Sequence, residues 1–236
     1  MPSGSFLPPN ATMSQWGLVT SPWSDRGGQF SALKASVFLG LLSPAAFTAW
    51  QWGTGGLGAR PVTAAIDATG LWSIRCLLLA FSVTPIRSLA DWSGVASLRR
   101  MLGVAAMCYG LAHFGLYAVD QGFQFGVVAH EIVHRLYLTV GFVALIVAAL
   151  LGGTSTDGWI RKLGRSWKRL HKAVYAVILF ASSHFFMWSK VVSFEAVFVA
   201  GLFLWLIAWR ALPRKMQGNL PALVALGPTI ALATAR

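Results

Sequence analysis

The chain carries five histidines, and their spacing sorts them into two kinds of chemistry. His171 and His184 lie 13 residues apart, a rise of roughly 20 Å if the segment stays helical. His171 stands at the end of a basic run, Arg165-Ser166-Trp167-Lys168-Arg169-Leu170. His184 stands inside the apolar stretch that follows. His113 lies 13 residues beyond Arg100 on another apolar stretch, so it reaches a similar depth. Imidazole is a common metal and haem ligand, and an ionisable side chain inside a membrane helix is a functional-site candidate. The other two histidines form His130-Glu131-Ile132-Val133-His134, the H-E-x-x-H pattern. On a helix this pattern puts two zinc ligands one turn apart, with a glutamate as base.

The elements that must position these rings are membrane helices. The composition is 56% hydrophobic and 11% charged, too little charge to cover a soluble domain of 236 residues. Six segments, at about 32–52, 69–87, 99–119, 135–153, 170–188 and 191–211, each approach the ~20 residues a spanning helix needs. The fold class expected is an all-α membrane protein, a bundle of six transmembrane helices. Residues 1–30 read as a flexible cytoplasmic tail without a cleaved signal, 31–212 as the membrane domain, and 213–236 as a C-terminal tail. Pro44 is expected to kink the first helix, and Thr84-Pro85 to close the second.

The net charge of +12 has a topological meaning. Arg87, Arg99, Arg100, Arg161, Lys162, Arg165, Lys168, Arg169, Arg214 and Lys215 share one side, whereas Arg60, Arg135 and Lys190 stand on the other. The positive-inside rule then places both termini in the cytoplasm. A cationic face against anionic headgroups accounts for the charge without nucleic acid. Cys76 and Cys108 fall inside predicted helices and imply no disulfide framework. Gly53-Thr54-Gly55-Gly56-Leu57-Gly58 matches G-x-G-x-x-G. It follows a membrane helix rather than a strand, so it reads as an interfacial turn and not a nucleotide fingerprint.

Helices 3 and 5 run in the same direction, which sets His113 and His184 at one level. Two neutral imidazoles facing each other there form a bis-histidine haem site. Gly103, Ala106, Gly110, Ala112 and Gly115 would let a helix or a flat macrocycle approach closely. Arg75 on helix 2 either snorkels to the outer headgroups or supplies a counter-charge to an anionic cofactor group. His171 either binds a second cofactor near the inner surface or sits among headgroups. Its counterpart on helix 3 is Arg100, not a histidine, and an ideal helix separates His171 from His184 by about 140°. The rival reading is a zinc-dependent membrane protease using His130, Glu131 and His134. It wants a third protein ligand, and with seven carboxylates in the chain Glu195 is the only plausible donor.

Between residues 33 and 210 the chain resembles a known family, in order along its length. The matching pieces are Gly55-Gly56-Leu57-Gly58, Thr69-Gly70, Thr84-Pro85, Leu98-Arg99-Arg100-Met101-Leu102-Gly103, His113 and Tyr137-Leu138-Thr139-Val140-Gly141. They continue with Thr154-Ser155, Leu163-Gly164, Trp167, Leu170-His171, Tyr175, His184 and Trp188-Ser189. The family is MsrQ (YedZ), the haem-binding membrane subunit of the bacterial periplasmic methionine sulfoxide reductase system, within the ferric-reductase-like transmembrane superfamily. The resemblance implies an inner-membrane electron-transfer subunit with haem b on His113 and His184, His171 as a further cofactor-binding residue, and FMN as a second cofactor. It implies electrons from the quinol pool or a cytoplasmic flavin reductase, and a periplasmic molybdopterin-containing catalytic subunit as their acceptor. The family keeps the acidic residue of the H-E-x-x-H stretch but not both histidines. It usually has Pro where Leu136 stands here.

Overall fold

The computed structural model describes residues 22–24, 29–189, 194–213 and 215–217. Among these residues the chain forms α1 (Ala32–Thr54), α2 (Pro61–Ala90), α3 (Leu98–Asp120), α4 (Phe125–His134) and α5 (Leu136–Gly153). It continues with α6 (Asp157–Leu163), α7 (Arg165–Leu170), α8 (Val174–Trp188) and α9 (Phe194–Ala211). Six helical segments are long and apolar enough to cross a membrane: residues 32–54, 61–90, 94–120, 136–153, 165–188 and 194–211. The protein is an all-helical, multi-pass membrane protein. Of the expected tails, residues 1–21 and 218–236 lie outside the described residues.

The described residues fall in two units, divided between Leu39 and Gly40. In the smaller, the Lys34 ammonium donates to the Ser24 carbonyl at 2.8 Å, and the Trp23 ring meets Phe38 edge-on. The larger unit holds the cleft described below. Its main packing runs α2 along α3 and α5 along α8, around a core that includes Leu77, Phe81, Tyr109, Ile178 and Leu206.

Two prolines sit inside helices, and in each case a side chain serves the backbone carbonyl left without its usual donor. Pro44 frees the Gly40 carbonyl, which accepts from the Ser43 hydroxyl at 3.0 Å. One residue on, the Tyr109 hydroxyl enters the ladder of α1. It donates to the Leu41 carbonyl at 2.6 Å and accepts from the Ala45 amide at 3.2 Å. A side chain inserted in this way is a recognised cause of helix bending.

At Pro85 the sequence expectation is corrected: α2 does not close there but runs on to Ala90. The freed carbonyl is that of Phe81, and the Arg210 guanidinium donates to it at 2.6 Å while lying 3.5 Å over the Phe81 ring. A charged hydrogen bond of this kind contributes about 1.5–3 kcal/mol. Arg210→Leu is therefore expected to lower stability by about that amount, read as a lower melting temperature of the detergent-solubilised protein. α2 also begins earlier than the hydropathy pattern predicts, with Pro61 in its first turn, where a missing N–H costs nothing.

The glycine-rich stretch after α1 is a turn, with Gly55 and Gly58 at φ +73° and +78°. The basic connection between α5 and α8 is more ordered than a solvated loop. α6 opens with the Thr156 hydroxyl accepting from the Trp159 amide, and Gly164, at φ +51°, turns the chain into α7.

Candidate functional site

His113 projects from α3 against Gly70 of α2, and His184 projects from α8 against Gly141 of α5. A β-carbon at Gly70 would stand 2.8 Å from the His113 Nδ1, and one at Gly141 would stand 2.6 Å from the His184 Nδ1. Only glycine leaves room for each ring to reach the backbone one turn earlier. There His113 Nδ1 meets the Ile66 carbonyl at 2.8 Å, and His184 Nδ1 meets the Tyr137 carbonyl at 2.7 Å. A carbonyl can only accept, so Nδ1 carries the proton in both rings and Nε2 keeps its lone pair. The ring centroids lie 6.3 Å apart with planes at 79°. Two neutral, oriented imidazoles facing one space are a pair of metal ligands in waiting.

The two halves of this arrangement repeat each other. Each histidine follows its carbonyl partner by 47 residues. Ile66, Gly70 and His113 recur as Tyr137, Gly141 and His184 at one constant offset along the chain. By the same offset Arg100 recurs as His171. The pair α2–α3 and the pair α5–α8 are thus two copies of one ring-holding unit.

Both rings line a cleft of about 1380 Å³. One end is basic, with Arg87, Arg99, Arg100, Lys168, Lys172 and Arg210 on its wall. The opposite end mixes signs, with Arg60, Asp67, Asp120, Glu131 and Arg135. His171 lines the same cleft as His184, against the expectation from ideal helical spacing. The reason is local: residues His171–Ala173 form a 3₁₀ turn between α7 and α8. Three residues advancing about 120° each, instead of about 100°, bring the two positions roughly 60° closer around the axis. His171 stacks on Trp167 at 3.9 Å, and its Nδ1 donates to the Trp167 carbonyl at 3.2 Å. Its Nε2 lies 3.3 Å from the Ser155 hydroxyl, whose proton is also claimed by the Leu151 carbonyl at 2.6 Å.

The charged candidates divide. Arg100 stands at the basic end and pairs with Asp157 at 2.6 Å, which ties α6 to the start of α3. Its neighbour Arg99 donates to the Thr84 hydroxyl. Arg75 does not line the cleft. Because α2 starts at Pro61, Arg75 falls near the middle of the helix instead of close to its end. It pairs with Glu195 of α9 at 2.6 Å and lies over the Trp72 ring.

The H-E-x-x-H stretch is helical, as α4, rather than a loop. Its rings stack on each other at 3.9 Å, and His134 Nδ1 donates to the His130 carbonyl. Glu131, the required base, is held by Arg135 at 2.8 Å and by the Tyr117 hydroxyl at 3.0 Å. Glu195, the third ligand expected from the sequence, is paired with Arg75. Among the described residues no three His, Cys, Asp or Glu side chains gather as a metal would need. The zinc reading therefore lacks both its base and its third ligand. Arg135 also donates to the Tyr137 hydroxyl at 3.5 Å; that contact, followed by the charge of Glu131, holds its pKa above the ordinary value and makes it a fixed cation.

Residues 69–182 match the family described as ferric reductase like transmembrane component. A heme-binding subunit MsrQ of protein-methionine-sulfoxide reductase from Xanthomonas campestris is 37% identical over 190 residues, covering 78% of this chain and 87% of the relative. The protein of the same description from Brucella ovis is 40% identical over 192 residues, covering 80% and 86%. The chain belongs to the MsrQ family. No solved structure matches it. The match to MsrQ proteins takes in α2, α3, α5 and α8, and so both copies of the ring-holding unit.

Proposed function

We propose that this MsrQ-family chain carries a b-type haem between His113 and His184 and serves as the electron-transfer subunit of a methionine sulfoxide reductase system. The observation that carries the reading is the histidine pair itself. A metal ion bound by two opposed imidazoles at a metal–nitrogen distance of about 2 Å sets their centroids roughly 6 Å apart, and these lie 6.3 Å apart. The residues present fit the group. A haem held by His113 and His184 would supply one-electron redox chemistry.

The chain's own residues do the rest. The Ile66 and Tyr137 carbonyls fix the Nδ1–H tautomer and raise the basicity of each Nε2. Gly70 and Gly141 admit the rings, and the apolar walls of α2, α3, α5 and α8 exclude water. Arg100 and the other cations at the basic end offer partners for anionic groups. His171 is a further cofactor-binding residue, and FMN is a second cofactor of the system. Arg75, paired with Glu195, acts on the cofactor only at a distance.

The basic end faces the cytoplasm with both termini, by the positive-inside rule. Residues 31–212 form the haem domain in the bacterial inner membrane, between tails at 1–30 and 213–236. Electrons come from the quinol pool or a cytoplasmic flavin reductase. They leave to a periplasmic molybdopterin-containing subunit that repairs oxidised methionines.

The test is reconstitution: dithionite-reduced protein, freed of excess reductant, is mixed with that oxidised catalytic subunit and methionine sulfoxide. Reoxidation that requires both additions is expected, and a reduced spectrum indifferent to them would contradict the role. His171→Ala is expected to leave the spectrum of the haem on His113 and His184 in place. Its complete loss there would mean that the ligand pair is wrongly assigned.

A further inference from the structure

We propose that His130 and His134 form a chelating site for one copper(II) ion, on the face of α4 turned away from the cleft. The inference does not rest on the haem reading. Glu131, Ile132 and Arg135 line the cleft, whereas the two histidines beside them do not.

α4 is fastened along one side. Val128 is buried, the Glu131 carboxylate takes the Tyr117 hydroxyl at 3.0 Å and Arg135 at 2.8 Å, and the Ile132 carbonyl accepts from the Thr139 hydroxyl. Positions two residues apart on a helix point about 200° from each other around the axis. His130 and His134 therefore stand opposite Val128 and Ile132, both exposed, one turn apart on a shared face. Their rings are already in contact, with centroids 3.9 Å apart and planes at 21°. A helix held from behind presents such a pair more precisely than a loop would.

The ring chemistry suits a metal. His134 Nδ1 donates to the His130 carbonyl at 2.8 Å, so the proton sits on Nδ1 and the Nε2 lone pair is free. The hydrogen bonds among the described residues leave both ring nitrogens of His130 unused. That exposed ring can turn between rotamers and trade the flat stack for two lone pairs converging on one ion. The cation next in sequence, Arg135, is drawn to the cleft side by Glu131 and the Tyr137 hydroxyl.

Two protein nitrogens are too few for the closed tetrahedral sites in which zinc is held. They are enough for copper(II), which accepts imidazole, prefers tetragonal geometry and fills its other positions with water. Copper(II) also heads the affinity order of the divalent first-row metals. Chelation across one turn ties together the end of α4, where Arg135 leaves the helix in an extended conformation. Bound copper should therefore stabilise the fold.

The experiment titrates copper(II) sulfate alone into the full-length, detergent-solubilised protein after dialysis against EDTA. Wild type is compared with His130→Gln, His134→Gln and Cys108→Ala, which lacks the exposed thiol. Bound copper is counted and its electron paramagnetic resonance spectrum is recorded. Wild type and Cys108→Ala are expected to take one copper(II) per chain, with a tetragonal spectrum split by two nitrogens. Zinc(II) should bind wild type more weakly. Loss of either ring leaves attachment at a single point, so each glutamine variant is expected to bind copper about 100-fold more weakly. Copper should raise the melting temperature of wild type and leave that of the glutamine variants unchanged, because a ligand of the folded state stabilises it. Glutamine variants that bind copper as tightly as wild type would overturn the site. So would a wild-type protein that takes up no copper, a spectrum with fewer than two nitrogens, or binding lost in Cys108→Ala.

Discussion

His184→Ala and His113→Ala are each expected to remove the Soret band while the protein still inserts in the membrane. Each substitution takes away one of the two proposed haem ligands and leaves a cleft wall otherwise built by α2, α3, α5 and α8. The spanning segments keep their length and hydropathy, so insertion has no reason to fail. Absorption of the detergent-solubilised variants, compared with their yield in the membrane fraction, checks both halves of the statement. A full Soret band in either variant would show that the iron is held elsewhere.

The second large effect comes from residues that bear no ligand atom. A methyl group at Gly141 would sit 2.6 Å from the His184 Nδ1, and one at Gly70 would sit 2.8 Å from the His113 Nδ1. The ring must retreat, which breaks its bond to the Tyr137 or Ile66 carbonyl and releases the orientation of Nε2. Gly141→Ala and Gly70→Ala are expected to weaken haem retention by about 10–100-fold, the usual cost of losing the group that orients a metal ligand. Gly103→Ala is the control, because nothing lies within 4 Å of its β-carbon position. Haem titration of the apo-proteins would separate the three. Equal affinity in all of them would mean that the glycines serve helix packing and not the rings.

The six spans were readable because bilayer thickness imposes a length that hydropathy reports directly, as it does for α5 and α8. His113 and His184 were readable as a pair because equal distance from a basic end becomes equal depth in parallel helices. The partners of their Nδ1 atoms were not. Gly70 and Gly141 look like ordinary small residues in an apolar run, and the glycines beside His113 in sequence drew the reading instead. The repeat that relates Ile66, Gly70 and His113 to Tyr137, Gly141 and His184 was the signal that could have found them. Hydropathy also misplaced the start and end of α2. Pro61 opens the helix before the apolar run that hydropathy reports, and Pro85 looks like a boundary in one dimension, whereas Arg210, 129 residues from Phe81, serves the carbonyl freed there. The shift of His171 onto the cleft wall depends on a 3₁₀ turn of three residues that no periodicity announces.

The most direct measurement is the absorption spectrum of the purified protein, oxidised and then reduced with dithionite, with iron and zinc quantified on the same sample. A Soret band that shifts on reduction, a sharp α-band and bound iron without stoichiometric zinc are the expected result. A colourless protein holding stoichiometric zinc would contradict the haem site and return His130, Glu131 and His134 to the centre.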